Sequence, residues 1–482
     1  MADTIPECDV VSLWLHLVRS GAELTTVHGA PVRVIYPGRL NNGQGPDFCD
    51  AVVGIGQRIY QGDIEVHVRS RDWQAHCHHR DTAYDRVVLH VVMRHNGRSV
   101  TRLSSGSTVP VVTLDRYSGV NSSIDGESTA CVGIVLTGND DRLGELLDNA
   151  GMARFLDRVG ECYHDLETME PGQVVYRGIM GALGYAHNKL PFLELAERVP
   201  LYELEEIAHR SGTGEECLAS IQACLIGTAG LLPGQRWGDK RRDRLDDDCV
   251  AGLEDLWNTF GDAEVMSPDE WHLFRVRPNN SPVRRLAAMS YLVCRYRENG
   301  LLSGLLDSPE KEPWMGVDRL KLENRLVVNA GGYWANRFDF GWGSLTSSPV
   351  LLGRQRAADI VVNVLLPFMF ARGQSAGRSD LAAEALAIYG GYPRLAVNTV
   401  EKHMKAQFGV TNTLIHSARR QQGLLHIYKT RCIRGKCPDC ELGQVSRVNG
   451  KRKNSSVPLQ DSLRLGMMSR SGSAVSPAQN WK

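Results

Sequence analysis

The chain has 482 residues, 42% of them apolar and 23% charged, which is the composition of an ordinary globular protein with room for about three domains. Lysine plus arginine and aspartate plus glutamate balance at 55 each, so whole-chain charge supplies no attraction to a polyanion, and any such attraction must come from local patches. The opening MADTIPECDVVSLWLHLVRS has neither a basic leader nor a long apolar stretch, and no run approaches the ~20 apolar residues of a membrane span. The twelve cysteines are mostly scattered singly among apolar residues, as Cys224 and Cys294 are. The expectation is a cytoplasmic protein with reduced, buried thiols and no membrane partner.

In chain order, residues 9–20 set Val10, Leu13, Trp14, Leu17 and Val18 at helical spacing, with Asp9 as N-cap. Strand signals follow in ELTTV, VRVIY and AVVGIG, then RIYQGDIEVHVR, RVVLHVVMR (86–94) and TVPVVTL (108–114). His28-Gly29 reads as a turn, and the polar stretch between Arg69 and Arg86 is long enough for a short helix. This order predicts a compact α/β domain over 1–118. From about 140 helical periodicity dominates, giving helical regions over 119–262 and 263–430. Within them RWGDKRRDRLDDD (236–248) reads as a solvated linker or helix face, and Ser281-Pro282 as a helix start. DIVVNVLLPFMFA (359–371) reads as a buried core helix containing Pro367. A cysteine knuckle over 431–443 and a disordered, mildly basic tail over 444–482 follow.

The stretch GPDFCDAVVGIGQRIYQGDIEVHVRSRDW (45–73) carries the chemistry. Period-two alternation turns Ile64, Val66 and Val68 to a core, and Asp63, Glu65 and His67 to the other face. Without a functional role, that pattern describes a strand wetted on one side. A hairpin through Ile55-Gly56-Gln57, however, brings Asp47 towards Glu65, and clustered carboxylates repel unless a cation joins them. Oxygen ligands of this kind suit Mg²⁺ or Mn²⁺ and support metal-assisted phosphodiester hydrolysis. The motifs GPDF and GDIEVH, in their helix–strand–strand–strand–helix–strand setting, resemble the PD-(D/E)XK nuclease superfamily. The resemblance implies a restriction-endonuclease-like mixed sheet, with Asp47 and Glu65 as the catalytic acids and His67 where the superfamily has lysine. A neutral imidazole there serves as base or ligand rather than as a cation.

His76, His78, His79 and Asp81 crowd the next segment, with Tyr84 beside them as a stacking or hydrogen-bonding residue. They read as near-site ligands or phosphate contacts, as a capping network, or as a zinc site for a small-molecule hydrolase. The spacing H-x-H-H lets only two of the three face one metal. LNNGQGPDFCDA, GDIEVHVRSRDW, HCHHRDTAYDRVVLHVV, FRVRPNNSPVRRLA, VVNVLLPF, ARRQQGLL and CIRGKCPDCELG together resemble a bacterial family of unknown function across most of the chain.

Three further motifs complete the reading. Arg275, Arg277, Arg284 and Arg285 gather around a helix start, either as a nucleic-acid backbone clamp or as a structural turn. Cys432, Cys437 and Cys440 read as ligands for Zn²⁺, with a [4Fe–4S] cluster as the alternative and His426 or Cys294 as candidates for the fourth position. Gln421 and Gln422 are base readers or packing residues. The functional expectation is a metal-dependent nuclease acting on DNA or RNA. The alternatives are a catalytically inactive nucleic-acid-binding protein and a zinc-dependent small-molecule hydrolase.

Overall fold

The structure is a computed structural model describing residues 5–41, 45–97, 100–117, 140–237, 248–261, 263–273, 276–306, 319–341, 350–408, 410–437 and 439–442. Helix α1 (Glu7–Ser20) starts earlier than the sequence suggests. Pro6 stands at its N-cap, Glu7 and Asp9 fill the first turn where acids complement the helix dipole, and Gly21 ends it in the left-handed region.

The strands are β1 (Leu24–Thr25), β2 (Pro31–Tyr36), β3 (Arg39–Leu40), β4 (Phe48–Ile55), β5 (Arg58–Arg69), β6 (Val87–Arg94), β7 (Val100–Arg102) and β8 (Thr108–Thr113). They form one eight-stranded mixed sheet ordered β1-β2-β4-β5-β6-β8-β7, with β3 paired to β4. β2, β4 and β5 run antiparallel, whereas β5, β6 and β8 run parallel. A parallel pair needs a crossover. Here it is α2 (Asp72–Ala75) followed by short 3₁₀ turns at His78–Arg80 and Thr82–Tyr84. The expected α/β domain followed by helices is what the chain forms.

The alternative of a strand wetted on one side falls away. β5 is not wetted on one side: Asp63, Glu65 and His67 are buried along with Ile64 and Val66. Its position in the middle of the sheet explains this. Ile64 and Val66 meet Trp14 and Leu17 of α1 in one core, while the crossover covers the other face.

Beyond the sheet one large apolar core among the described residues runs from Phe155 to Ala418, so the described parts of 119–262 and 263–430 share it. Pro367 is accommodated by a π turn at Val361–Leu365, between helices Arg354–Ile360 and Leu366–Ser375, which resets the hydrogen-bond ladder where proline offers no N–H. Ser281 flanks the helix Pro282–Arg295 without capping it, and its hydroxyl donates to Asp339. Gly214–Trp237 reaches the length and apolarity of a membrane span, which the sequence reading overlooked. Of its most apolar window 78% is buried within the protein, as in a core helix.

The helix Ala418–Thr430 packs on α3 (Asp140–Leu166) and on the sheet. Leu424, Ile427 and Tyr428 join Leu147 of α3 with Tyr36 of β2 and Val52 of β4 in one cluster. The tail 444–482 lies outside the described residues, as does most of 236–248.

Candidate metal centre

Asp47, one residue before β4, and Glu65 in β5 stand 18 positions apart and meet through reciprocal backbone bonds. The Asp47 N–H donates to Glu65 Oε2 (3.0 Å), and the Val66 N–H donates to Asp47 Oδ2 (2.9 Å). A bulge makes this possible. From Ile55↔Arg58 to Ala51↔Gly62 the hairpin is regular, and continuing that register would set Asp47 opposite Val66, on the apolar face. Between Ala51 and Phe48 the register shifts by one, so that Phe48 pairs with Ile64 and Asp47 falls on the side of Glu65. Asp50, in the left-handed region at φ 63°, is the residue that absorbs the shift.

Three imidazoles adjoin the acids. Glu65 Oε1 lies 3.5 Å from His67 Nε2 and 3.4 Å from His78 Nε2. His67 Nε2 is in turn 3.2 Å from His76 Nδ1. The ligating atoms of His67, His76 and His78 all fall within 4.8 Å of one another. His76 and His78 face the same point because Cys77 between them adopts φ 62°, ψ 17°, a left-handed turn rather than a helical or extended step. Two histidines of the segment thus face one point, and the third comes from the strand. His79 turns elsewhere and leaves its Nδ1 buried without a hydrogen-bond partner among the described residues.

The remaining near-site residues divide. Tyr84 stacks on His78 at 3.8 Å between ring centroids. Asp81 is exposed and caps the Thr82–Tyr84 turn by accepting from the Ala83 N–H (2.9 Å). Asp63 is drawn into a different cluster. It accepts from the Asp50 N–H (2.9 Å) and lies 3.8 Å from Arg86, beside a register shift between Asp63 and Ile64 in the β5–β6 pairing.

Three participants escaped the sequence reading. Glu7 on α1 is close enough to exchange charge effects with Asp47, His76 and His78, yet in sequence it is only an acid in a first helical turn. His90 Nε2 lies 2.9 Å from His67 Nδ1, and His90 Nδ1 lies 2.6 Å from Thr101 Oγ1. The one available signal was a lone histidine inside the apolar run RVVLHVVMR.

Burial sets the charge states. Desolvation, then Asp47 and Glu7, push Glu65 up to about 9, although the Asp47 N–H opposes them. Desolvation also raises Asp47. Desolvation, with help from His90, His78 and His76, pushes His67 down to about 2, and desolvation takes His90 down to about 3. Among the described residues neither acid pairs with a lysine or arginine. Two desolvated carboxylates beside three imidazole nitrogens form a donor set that fits a divalent cation, oxygen for Mg²⁺ or Mn²⁺ and nitrogen for Zn²⁺.

The other motifs lie elsewhere. Arg284 and Arg285 are buried in the helical core, which takes them out of any surface clamp. Arg284 donates to Asn279 and to the Trp334 and Arg337 carbonyls, and Arg285 to Asn280, Tyr185 and the Leu351 carbonyl. Arg277 is exposed, and Arg275 lies outside the described residues. Gln421 and Gln422 are packing residues: the first donates to Leu395, Ala396 and Glu401, and the second accepts from Arg154. Cys432, Cys437 and Cys440 are buried against β2 and β4, and burial and the two neighbouring thiols push Cys432 upward. Both candidates for a fourth ligand are engaged elsewhere, His426 with Asp157 (3.4 Å) and Cys294 with Cys217 (2.6 Å).

The fold and site thus define an α/β sheet protein with a buried acid–imidazole cluster and a large helical region sharing the chain. The chain belongs to a family described as a protein of unknown function (DUF2851), whose model matches residues 7–394. Neither a curated protein nor a solved structure matches it.

Proposed function

We propose that the protein is a metal-dependent phosphodiester hydrolase acting on a polynucleotide, with Asp47 and Glu65 as the acids that hold the ion. The observation that carries this reading is the reciprocal clamp between the two acids, made by backbone N–H groups rather than by mobile side chains. The arrangement of α1, an antiparallel β2-β4-β5 and a crossover to a parallel β6 agrees with what the PD-(D/E)XK resemblance implies. When bound, Mg²⁺ or Mn²⁺ supplies Lewis-acid polarisation of a phosphate and a more acidic water.

The chain's own residues do the rest. Asp47 and Glu65 give up the protons that desolvation favours and so present negative charge to the ion. His67, held neutral, does not replace the positive charge of a lysine. Its Nδ1 contact to His90 fixes the ring with Nε2 towards Glu65 and His76. Exposed Arg71 and Arg80 lie on the crossover that carries His76 and His78, where a polyanion would meet them.

The test is incubation of labelled single- and double-stranded DNA and RNA with the purified chain and Mg²⁺, Mn²⁺ or Zn²⁺. Cleavage is expected, and Glu65→Gln should lower it by about 10²-fold or more. Salt-sensitive binding without cleavage supports the second reading, a nucleic-acid-binding protein without catalysis, which the histidine at the lysine position favours. Neither binding nor cleavage on any of these substrates removes both.

A further inference from the structure

His67, His76 and His78 have a property that the two acids alone do not require. Their three ring nitrogens converge from two separate chain segments to within 4.8 Å of one another, close enough to turn towards one ion. Two donors about 2.1 Å from a metal at the tetrahedral angle stand about 3.4 Å apart, whereas octahedral Mg²⁺ at the same radius sets neighbours at about 3.0 Å. The His67–His76 separation of 3.2 Å falls between these values, and Glu65 Oε1, 3.5 Å and 3.4 Å from His67 and His78, stands beside the imidazoles as a neighbouring charge.

We propose that His67, His76 and His78 form a three-imidazole site for a borderline transition-metal ion, Zn²⁺ foremost, with the Glu65 carboxylate alongside as its charge partner. The site rests on the same cleft as the hydrolase reading but not on hydrolysis. Imidazole selects zinc over magnesium because nitrogen is the softer donor. Three protein ligands leave one coordination position open, as in catalytic rather than structural zinc sites.

The surroundings are built for this. A metal ligand must offer a lone pair, which requires the proton of His67 on Nδ1, and that nitrogen points at His90 Nε2 (2.9 Å). His90 must then carry its own proton on Nδ1, where Thr101 Oγ1 accepts it (2.6 Å). The buried pair therefore fixes one tautomer and one ring angle for His67. Tyr84, stacked on His78, holds the second ring. The left-handed Cys77 turns the third into place.

The experiment measures metal content and ligand geometry on the full chain, apart from any activity. Purified protein is stripped, reloaded with Zn²⁺ or Co²⁺, and assayed for stoichiometry and for the visible absorption of tetrahedral cobalt. One equivalent is expected that excess Mg²⁺ does not displace, that survives Cys432→Ser and Cys437→Ser, and that vanishes in His76→Ala with His78→Ala. His76 is exposed and His78 half-buried, so these variants should fold; circular dichroism checks it. His90→Ala should weaken binding about 10- to 100-fold without removing a ligand. A metal content and cobalt spectrum unchanged in the double histidine variant, or no transition-metal binding by the wild type, overturns the site. Cleavage with Mg²⁺ by a protein that takes up no transition metal overturns the site while leaving the hydrolase reading intact. Bound zinc with every polynucleotide left uncut supports the site and removes the hydrolase reading.

Discussion

At Glu65 burial strips water from the carboxyl while Asp47 and Glu7 add negative charge nearby, and the group is pushed from 4.5 up to about 9. In cation-free protein the folded state therefore keeps a proton there across a pH window in which the unfolded chain has released it. That contribution to stability is complete below pH 4.5 and is lost as pH rises towards 9. His67 and His90 run the other way. Neutral when folded and protonated when unfolded below pH 6.5, they contribute stability that is lost as pH falls below that value. Glu65→Gln removes only the first dependence, so in chelator its melting temperature should climb relative to wild type between pH 5 and pH 9. A difference that stays constant with pH would contradict the assignment. Residue identities in this site were largely legible: Asp47, Glu65, His67, His76 and His78 all stand in three short motifs. Glu7, His90 and Thr101 were not, because nothing in a single sequence says which helix start or apolar run will face them.

Among the elements, the crossover between β5 and β6 shows where pattern reading stops. H-x-H-H can be judged only by assuming a helix or a strand, and Cys77 obeys neither, since its φ of 62° turns the chain between His76 and His78. Glycine tolerates that conformation freely, while a β-branched residue pays about 1–2 kcal/mol for it. Cys77→Gly should thus preserve stability and metal binding, and Cys77→Val should lower both, as read by thermal melting and zinc titration. Equal behaviour of the two variants would show that the turn does not set the histidines. The same limit applies to β4, where alternation and hairpin logic locate both acids but not the extra residue that puts them on one side. The arginine motif misled for a related reason. A helix start dense in Arg284 and Arg285 looks like an anion site until the loops that supply their carbonyl and amide acceptors are seen to enclose it.

Over the whole molecule, the sheet and the helices are joined by the last described helix. Gly423 lies so close to α3 that a Cβ there would sit 2.2 Å from the Leu147 carbonyl oxygen. Gly423→Ala should cost about 1–3 kcal/mol by forcing the helices apart. It should also speed amide exchange in β2 and β4, because the same helix brings Tyr428 to Asp50 (2.9 Å). Gly252→Ala, in a helix with open space around it, is the matched control and should be neutral or stabilising. The α/β-then-helical order was readable from periodicity. The sharing of one core by distant helices was not, since amphipathic patterns show that a face is buried and not against what.

The Tyr428–Asp50 contact spans 378 positions, and a ribosome adding roughly 5–20 residues per second needs roughly 20–75 s to make that much chain. Throughout that interval the nascent sheet displays Tyr36 and Val52 without the Leu424, Ile427 and Tyr428 surface that completes their cluster. That face can therefore be closed only late in synthesis, when the final helix emerges.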